Sequence, residues 1–319
     1  MSFLSALLNS LPGAAAQGLI WGLMAIGVYI TFRILDVADL TVDGSFCTGG
    51  AAFVVLFSGG MNVWLALLIS FAVGLLAGLV TGILHTFCGI PAILAGILTQ
   101  LGLYSINLAI MGMNAMASIG INDKNVLDRL LVSLRFVTDV SNGERPFWMH
   151  PIFVVGLFTA AIIALLYWFF GTELGCSMRA TGSNSHMAQA QGINTNFAKV
   201  LGLMLSNGLV ALSGAFMSSF NSSAEINMGR GAIVIGLAAV IIGEVLFGHI
   251  FHSFALKLVS VSIGSIIYYI VIQAVLAMGL NSNYLKLLSA LVVAVFLAVP
   301  YWKGKYFSKL IHKGDKSHA

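Results

Sequence analysis

Charge is scarce in this chain. Only 8% of its 319 residues are Asp, Glu, Lys or Arg, against roughly 25% in soluble domains. So few charges cannot cover a water-facing surface, which excludes an ordinary soluble globular protein. With 59% hydrophobic residues and a mean hydropathy of +0.99, the chain takes lipid as its solvent. Cysteine is also sparse. Cys47, Cys88 and Cys176 show neither paired nor metal-ligand spacing, so a disulfide framework or zinc site is not expected and they read as small membrane residues. Low-complexity tracts and an independent soluble domain are absent. The net charge of +4 does not point to nucleic acid. Much of it comes from Lys303, Lys305, Lys309, Lys313 and Lys316, a positive-inside anchor beside the last apolar segment.

Catalytic motifs are missing too. A phosphate-cradling loop needs Gly-x-x-x-x-Gly-Lys-Ser/Thr. The one Gly-Lys pair, Gly304-Lys305, is followed by Tyr306 and lacks the upstream glycine. This chain is therefore not expected to hydrolyse ATP, or to bind a cofactor or metal of its own. There is no His/Glu zinc motif, no Gly-x-Ser-x-Gly elbow and no carboxylate pair within one span, which argues against an intramembrane enzyme. His249 and His252 lie one helical turn apart without a third ligand and read as an interfacial pair. Ala14-Ala15-Ala16 resembles a signal-peptidase site. The preceding stretch has no Lys or Arg and contains Asn9 and Pro12, so no cleaved signal is expected.

What the chain does have is repeated apolar runs long enough to cross a hydrocarbon core of ~30 Å. They predict spans at 14–32, 43–60, 62–84, 90–113, 151–170, 197–219, 231–250, 254–278 and 284–302, with residues 1–12 as a short interfacial helix. The fold class is an all-α polytopic membrane bundle of about nine spans, because a lipid-embedded backbone must satisfy itself internally. Its 35 glycines suit close helix approach. Residues 43–60 and 231–250 are Gly-interrupted, the pattern of broken or re-entrant segments. With the C-terminal tail inside, alternation puts Arg33, Arg179, Lys199, Lys257 and the five tail lysines inside. It puts Lys124, Arg129, Arg135, Arg145, Arg230 and Lys286 outside, together with the N-terminus.

One transmembrane domain, 1–319, carries two polar segments: an outer one at 114–150 and an inner one at 172–198. In the inner segment, Ser183 or Asn184 can cap a short helix through Met187-Ala188-Gln189-Ala190, with Gly192 as its stop. The spacing alone fits either a helix that a partner grips or an ordinary connection.

Three stretches resemble a known family. Gly182-Ser183-Asn184, followed by Ala190-Gln191-Gly192-Ile193-Asn194, looks like the coupling segment of ABC importer permeases of the branched-chain amino acid and ribose type. Leu8 through Phe57 resembles the family's first two spans, and Gly236 through Gly248 a later membrane block. Asp39 through Phe46 and Gly243-Glu244 look most like the subfamily labelled tryptophan/tyrosine-type. The resemblance implies a type II importer fold, a homodimer around one central path, and localisation in the bacterial inner membrane. It also implies two cytoplasmic ATPase subunits, which carry ATP and Mg, and an external solute-binding protein. The ATPase-coupling residues would be Gly182, Ser183, Asn184, Ala188, Ala190, Gly192 and Ile193. An amino-acid-like or aromatic solute is the leading expectation, ahead of sugars and nucleosides.

Candidate path residues are Asp43, Ser45, Thr48 and Glu244. A charge at the bilayer centre costs about 2.5–3.5 kcal/mol on insertion scales, so neither acid should face lipid. Each could line the path, or lie near the inner interface paired with a helix N-terminus or polar neighbour. An ion-coupled secondary transporter using Asp43 or Glu244 is the rival function. Thr48, Gln100, Asn107, Asn207, Ser213 and Gln273 are expected to be chiefly interhelical hydrogen-bonding groups.

Overall fold

A computed structural model describes residues 3–119, 151–248, 250–251, 253–277 and 285–302. The outer segment beyond residue 119, both histidines of the 249/252 pair and the tail lysines lie outside the described residues. Among the described residues the helices are α1 (Phe3–Tyr29), α2 (Val42–Ser58), α3 (Val63–Thr86), α4 (Ala92–Ile110), α5 (Pro151–Gly171) and α6 (Glu173–Ser183). They continue as α7 (Ser185–Ala190), α8 (Thr195–Asn221), α9 (Ala232–Phe247), α10 (Phe254–Ala277) and α11 (Leu285–Trp302). The all-α expectation needs one amendment. Met116–Ser118 (β1) pairs antiparallel with Ser223–Glu225 (β2), placing Ala117 opposite Ala224.

Among the described residues, six helices are long and apolar enough to cross a membrane: Ser10–Ile34, Val63–Thr86, Ala92–Ile110, Ile152–Gly171, Thr195–Asn221 and Phe254–Leu276. Two of the predicted spans are different in kind. α2 and α9 have 17 and 16 residues, or about 25 Å of helix each, and both begin inside the bundle. Ser45 near the start of α2 bonds Asn207, midway along α8. Asp43 then bonds the backbone of Gly231 and Ile233 at the start of α9. From that meeting point the two helices run apart. The far end of α2 packs Phe57 among Phe216 and Ala215 of α8, whereas the far end of α9 brings Glu244 to Arg33 at the end of α1.

The bundle closes through small residues. A Cβ at Gly49 of α2 would overlap the Ala211 carbonyl of α8, and one at Gly78 of α3 the Leu203 carbonyl. Buried hydroxyls tie the same interfaces across helices. Ser206 Oγ donates to the Gly27 carbonyl, Ser213 Oγ to Ile20 and Ser265 Oγ to Gly18, at 2.6–2.7 Å. These bonds satisfy hydroxyls that have no water to turn to.

α1 does not end as an ordinary helix. It passes into a π turn at Ile30–Ile34, with Leu35 N–H donating to the Ile30 carbonyl at 3.1 Å. Asp36 then takes a left-handed conformation, φ 54°. The chain runs extended into the bundle, where Asp39 is 2% exposed. Its Oδ1 accepts from Thr41 N–H at 2.9 Å and its Oδ2 from Asn207 Nδ2 at 2.7 Å. Asn207 thus holds the entry to α2 from both sides.

Candidate functional site

The segment 172–198 is folded as α6, α7 and the start of α8. Asn184, in extended conformation, separates α6 from α7, and its side chain accepts from Met187 N–H at 3.0 Å. Asn184 rather than Ser183 is therefore the cap. Ile193 N–H donates to the Ala188 carbonyl and Gly192 N–H to Gln189, with Gly192 at φ +82°. This is a Schellman closure, which a left-handed glycine permits. Asn194 caps α8 through Phe197 N–H, and Gln189 Nε2 donates to Thr195 Oγ1 at 2.8 Å. The short helix is bolted to α8 at its C-terminal end.

The phase of that helix separates the expected coupling residues. Ala188 is 4% exposed and turns into its own chain, so it does not face outward. Ser183, Asn184, Met187, Ala190 and Gly192 are exposed, while Ile193 is half-buried. Gly182 is pressed against α1, where a Cβ would overlap the Ile34 carbonyl. A groove of about 600 Å³ beside α7 is lined by Leu35–Ala38, His85, Pro91–Ile93, Thr181–Ser185 and Lys199. The end of α1 and the α6–α7 segment therefore share one surface.

The candidate path residues separate. Ser45 and Thr48 are fully buried in helix contacts: Ser45 donates to Asn207 Oδ1 at 2.6 Å, and Thr48 to its own Gly44 carbonyl at 2.9 Å. Glu244 receives two bonds from Arg33, from Nε at 2.7 Å and from an Nη at 2.5 Å. Asp43 accepts from Gly231 N–H at 2.9 Å and Ile233 N–H at 3.0 Å, so it caps the broken α9. It also lines a cavity of about 240 Å³ with Gly44, Cys47, Gln100, Tyr104, Asn107 and Arg230. Of the four, Asp43 is the one that lines this cavity. Among the described residues, no cluster of three or more His, Cys, Asp or Glu could hold a metal.

Arg230, expected on the outer side, is exposed and lies in the turn between β2 and α9, next to Gly231. It lines the Asp43 cavity and a second one of about 440 Å³ shared with Gln17, Trp21, Tyr268, Tyr269 and Gln273. Asn107 and Trp21, which line these two cavities, each carry a fully buried polar atom, Oδ1 and Nε1, without a hydrogen-bond partner among the described residues. Composition flagged Asn107 as polar but gave no signal for Trp21, which resembles any other membrane aromatic.

Comparison with known proteins places the chain among transport permeases. The model of a family described as "Branched-chain amino acid transport system / permease component" matches residues 10–300. A tyrosine transport system permease protein of Clostridioides difficile (strain R20291) is 37% identical over 291 residues, 91% of each chain. An uncharacterized protein of Rickettsia prowazekii (strain Madrid E) is 31% identical over 91% of this chain and 98% of its own length. A fructose import permease protein of Bifidobacterium longum (strain NCC 2705) is 26% identical over 92% of this chain and 80% of that protein.

Proposed function

The chain belongs to the family of permease components of branched-chain amino acid transport systems, and from that premise we propose that it is the membrane subunit of a bacterial importer that moves a small organic solute inward. The family implies separate ATPase and solute-binding partners. The observation that carries the reading is α7. It is fixed by Asn184 at one end and a Schellman turn at the other, and lies in a chain without a phosphate-binding loop of its own. A rigid, doubly anchored helix transmits a push to α6 and α8 instead of absorbing it.

On this reading the α7 end is cytoplasmic and grips the ATPase, and the β1–β2 end faces the binding protein. A second copy of the chain completes the path. α4 supports that, because it buries only Ala95, Gly96, Thr99, Leu103 and Asn107 and leaves Leu94, Leu98 and Leu101 exposed. The outer segment 114–150 is the docking surface for the binding protein. Substrates named for relatives include tyrosine and fructose, and an amino-acid-like or aromatic solute fits this chain best. Ion coupling through Asp43 or Glu244 is disfavoured, since one carboxylate caps a helix and the other is paired with Arg33.

Crosslinking tests the reading. Single cysteines at Ser183 and Met187, in a background without the three native cysteines, should crosslink to copurified ATPase with a yield that changes on nucleotide binding. A cysteine at Ala188 should crosslink poorly. Failure of any ATPase to copurify while uptake persists would overturn the importer assignment.

A further inference from the structure

α1 ends on a turn wound one residue too wide. In an α-helix each N–H reaches four residues back. Here Leu35 N–H reaches five, to the Ile30 carbonyl at 3.1 Å, and Val37 N–H reaches the Thr31 carbonyl at 2.9 Å. Such π turns are rare and concentrate at functional sites. This one is gripped on two sides. On the first, Gly182 at the end of α6 sits so close that a Cβ would overlap the Ile34 carbonyl, and the Leu35 and Met178 side chains close together over Gly202 of α8. On the second, Arg33 within the turn donates from Nε and an Nη to Glu244 near the end of α9. Ile34 also shares a buried cluster with Ala239 and Val240 of α9. The turn therefore touches the α6–α7 segment and a broken helix at once.

A turn with one extra residue has a discrete alternative. Rewound as α-helix, its later residues would rotate by up to about 100°, enough to take Arg33 off Glu244. The pair suits such a change, because Arg33 is 52% exposed and exposed pairs are weak enough to break and remake. The opposite end of α9 is held independently, by Asp43 on the N–H groups of Gly231 and Ile233, beside the cavity of about 240 Å³. Releasing one end while the other stays capped lets α9 pivot about Asp43. We propose that the π turn is a two-register joint that makes the end of α9 follow the position of α6. Pressure of α6 on the Ile34 carbonyl selects the register, and Arg33 transmits the choice to Glu244. The proposal rests on the importer reading for what moves α6; the joint itself needs no ATPase.

The test is hydrogen–deuterium exchange of the full-length permease in lipid nanodiscs, without ATPase, read in peptides covering 28–38 and 240–248. Arg33→Gln should speed exchange at the end of α9 by roughly 1.4- to fivefold, the factor that an exposed ion pair supports. Gly182→Ala puts a methyl against the Ile34 carbonyl and should speed exchange in both peptides, the α9 peptide within that same range. Gly202→Ala pushes instead on the flexible ends of Leu35 and Met178, and gives an independent reading should Gly182→Ala fail to fold. With Arg33→Gln added, either glycine variant should still quicken the π turn but raise α9 no further than Arg33→Gln alone, since coupled sites are not additive. Four results would overturn the joint: an α9 peptide unmoved by Arg33→Gln, a π turn unmoved by whichever glycine variants fold, a π-turn response that does not reach α9, or additive effects at α9. Failure of any ATPase to copurify would overturn the importer reading alone and leave this exchange result standing.

Discussion

At the scale of single residues, the acid at 244 illustrates what one sequence can and cannot say. Its cost inside an apolar run is legible, because a carboxylate there needs compensation. Its partner is not, because Arg33 lies 211 positions away and only the packing of α9 against α1 brings them together. The pair is bidentate, but Arg33 is 52% and Glu244 29% exposed. Exposed pairs couple by about 0.2–1 kcal/mol. A double-mutant cycle of Arg33→Gln and Glu244→Gln, read by thermal unfolding in detergent, should give a coupling in that range. Uptake by Glu244→Gln should remain substantial. Glu244→Leu should be worse, since it leaves Arg33 with no hydrogen-bonding partner on α9. Uptake driven by a proton or sodium gradient, and lost in Glu244→Gln, would restore the carrier reading.

Local chemistry makes some elements readable and others not. α7 could be placed from sequence because its signals are contiguous: an Asn at the start and a Gly at the end, eight residues apart in Asn184 and Gly192. Its rotational phase could not, since that depends on how Gln189 and Thr195 lock it to α8. The consequence separates two substitutions that look equivalent in sequence. Ala190→Glu changes an exposed position and should reduce ATPase copurification without altering the permease's own melting. Ala188→Glu buries a charge in the chain and should lower the melting temperature first. Asn184→Ala should cost about 1 kcal/mol of local stability through the lost cap and loosen coupling between hydrolysis and uptake. Glycines show the same division. Nothing lies within 4 Å of a Cβ placed on Gly102, whereas one on Gly78 meets the α8 backbone. Gly102→Ala should therefore express normally, and Gly78→Val should prevent a monodisperse preparation in size-exclusion chromatography.

For the whole molecule, the organising feature is the pair of helices that begin inside the bundle. Hydropathy marked both as apolar and Gly-interrupted, the pattern of broken segments, but did not reveal where each begins, because period and length do not show where a neighbour's backbone intervenes. The meeting of α2 and α9 depends on one side chain. Asp43 joins them by accepting from two N–H groups at the start of α9, and Gly229 allows the turn to pass so close that a Cβ there would overlap the Asp43 carbonyl. At a helix N-terminus the first N–H groups have no intrahelical acceptor, and a carboxylate there also opposes the helix dipole favourably. In a bundle surrounded by lipid, water cannot readily replace it. Asp43→Asn retains one acceptor oxygen and should keep part of the junction. Asp43→Leu matches the side chain roughly in size but strands both donors, at about 1–3 kcal/mol each. The expected order of melting temperature in detergent is wild type, then Asn, then Leu, with uptake falling in the same order because the broken helices lose their fixed relation to the Arg230 cavities. Equal stability of Asp43→Leu and wild type would mean that packing alone holds the two helices together. The carboxylate would then have to be explained by the neighbouring cavity of about 240 Å³ that it lines.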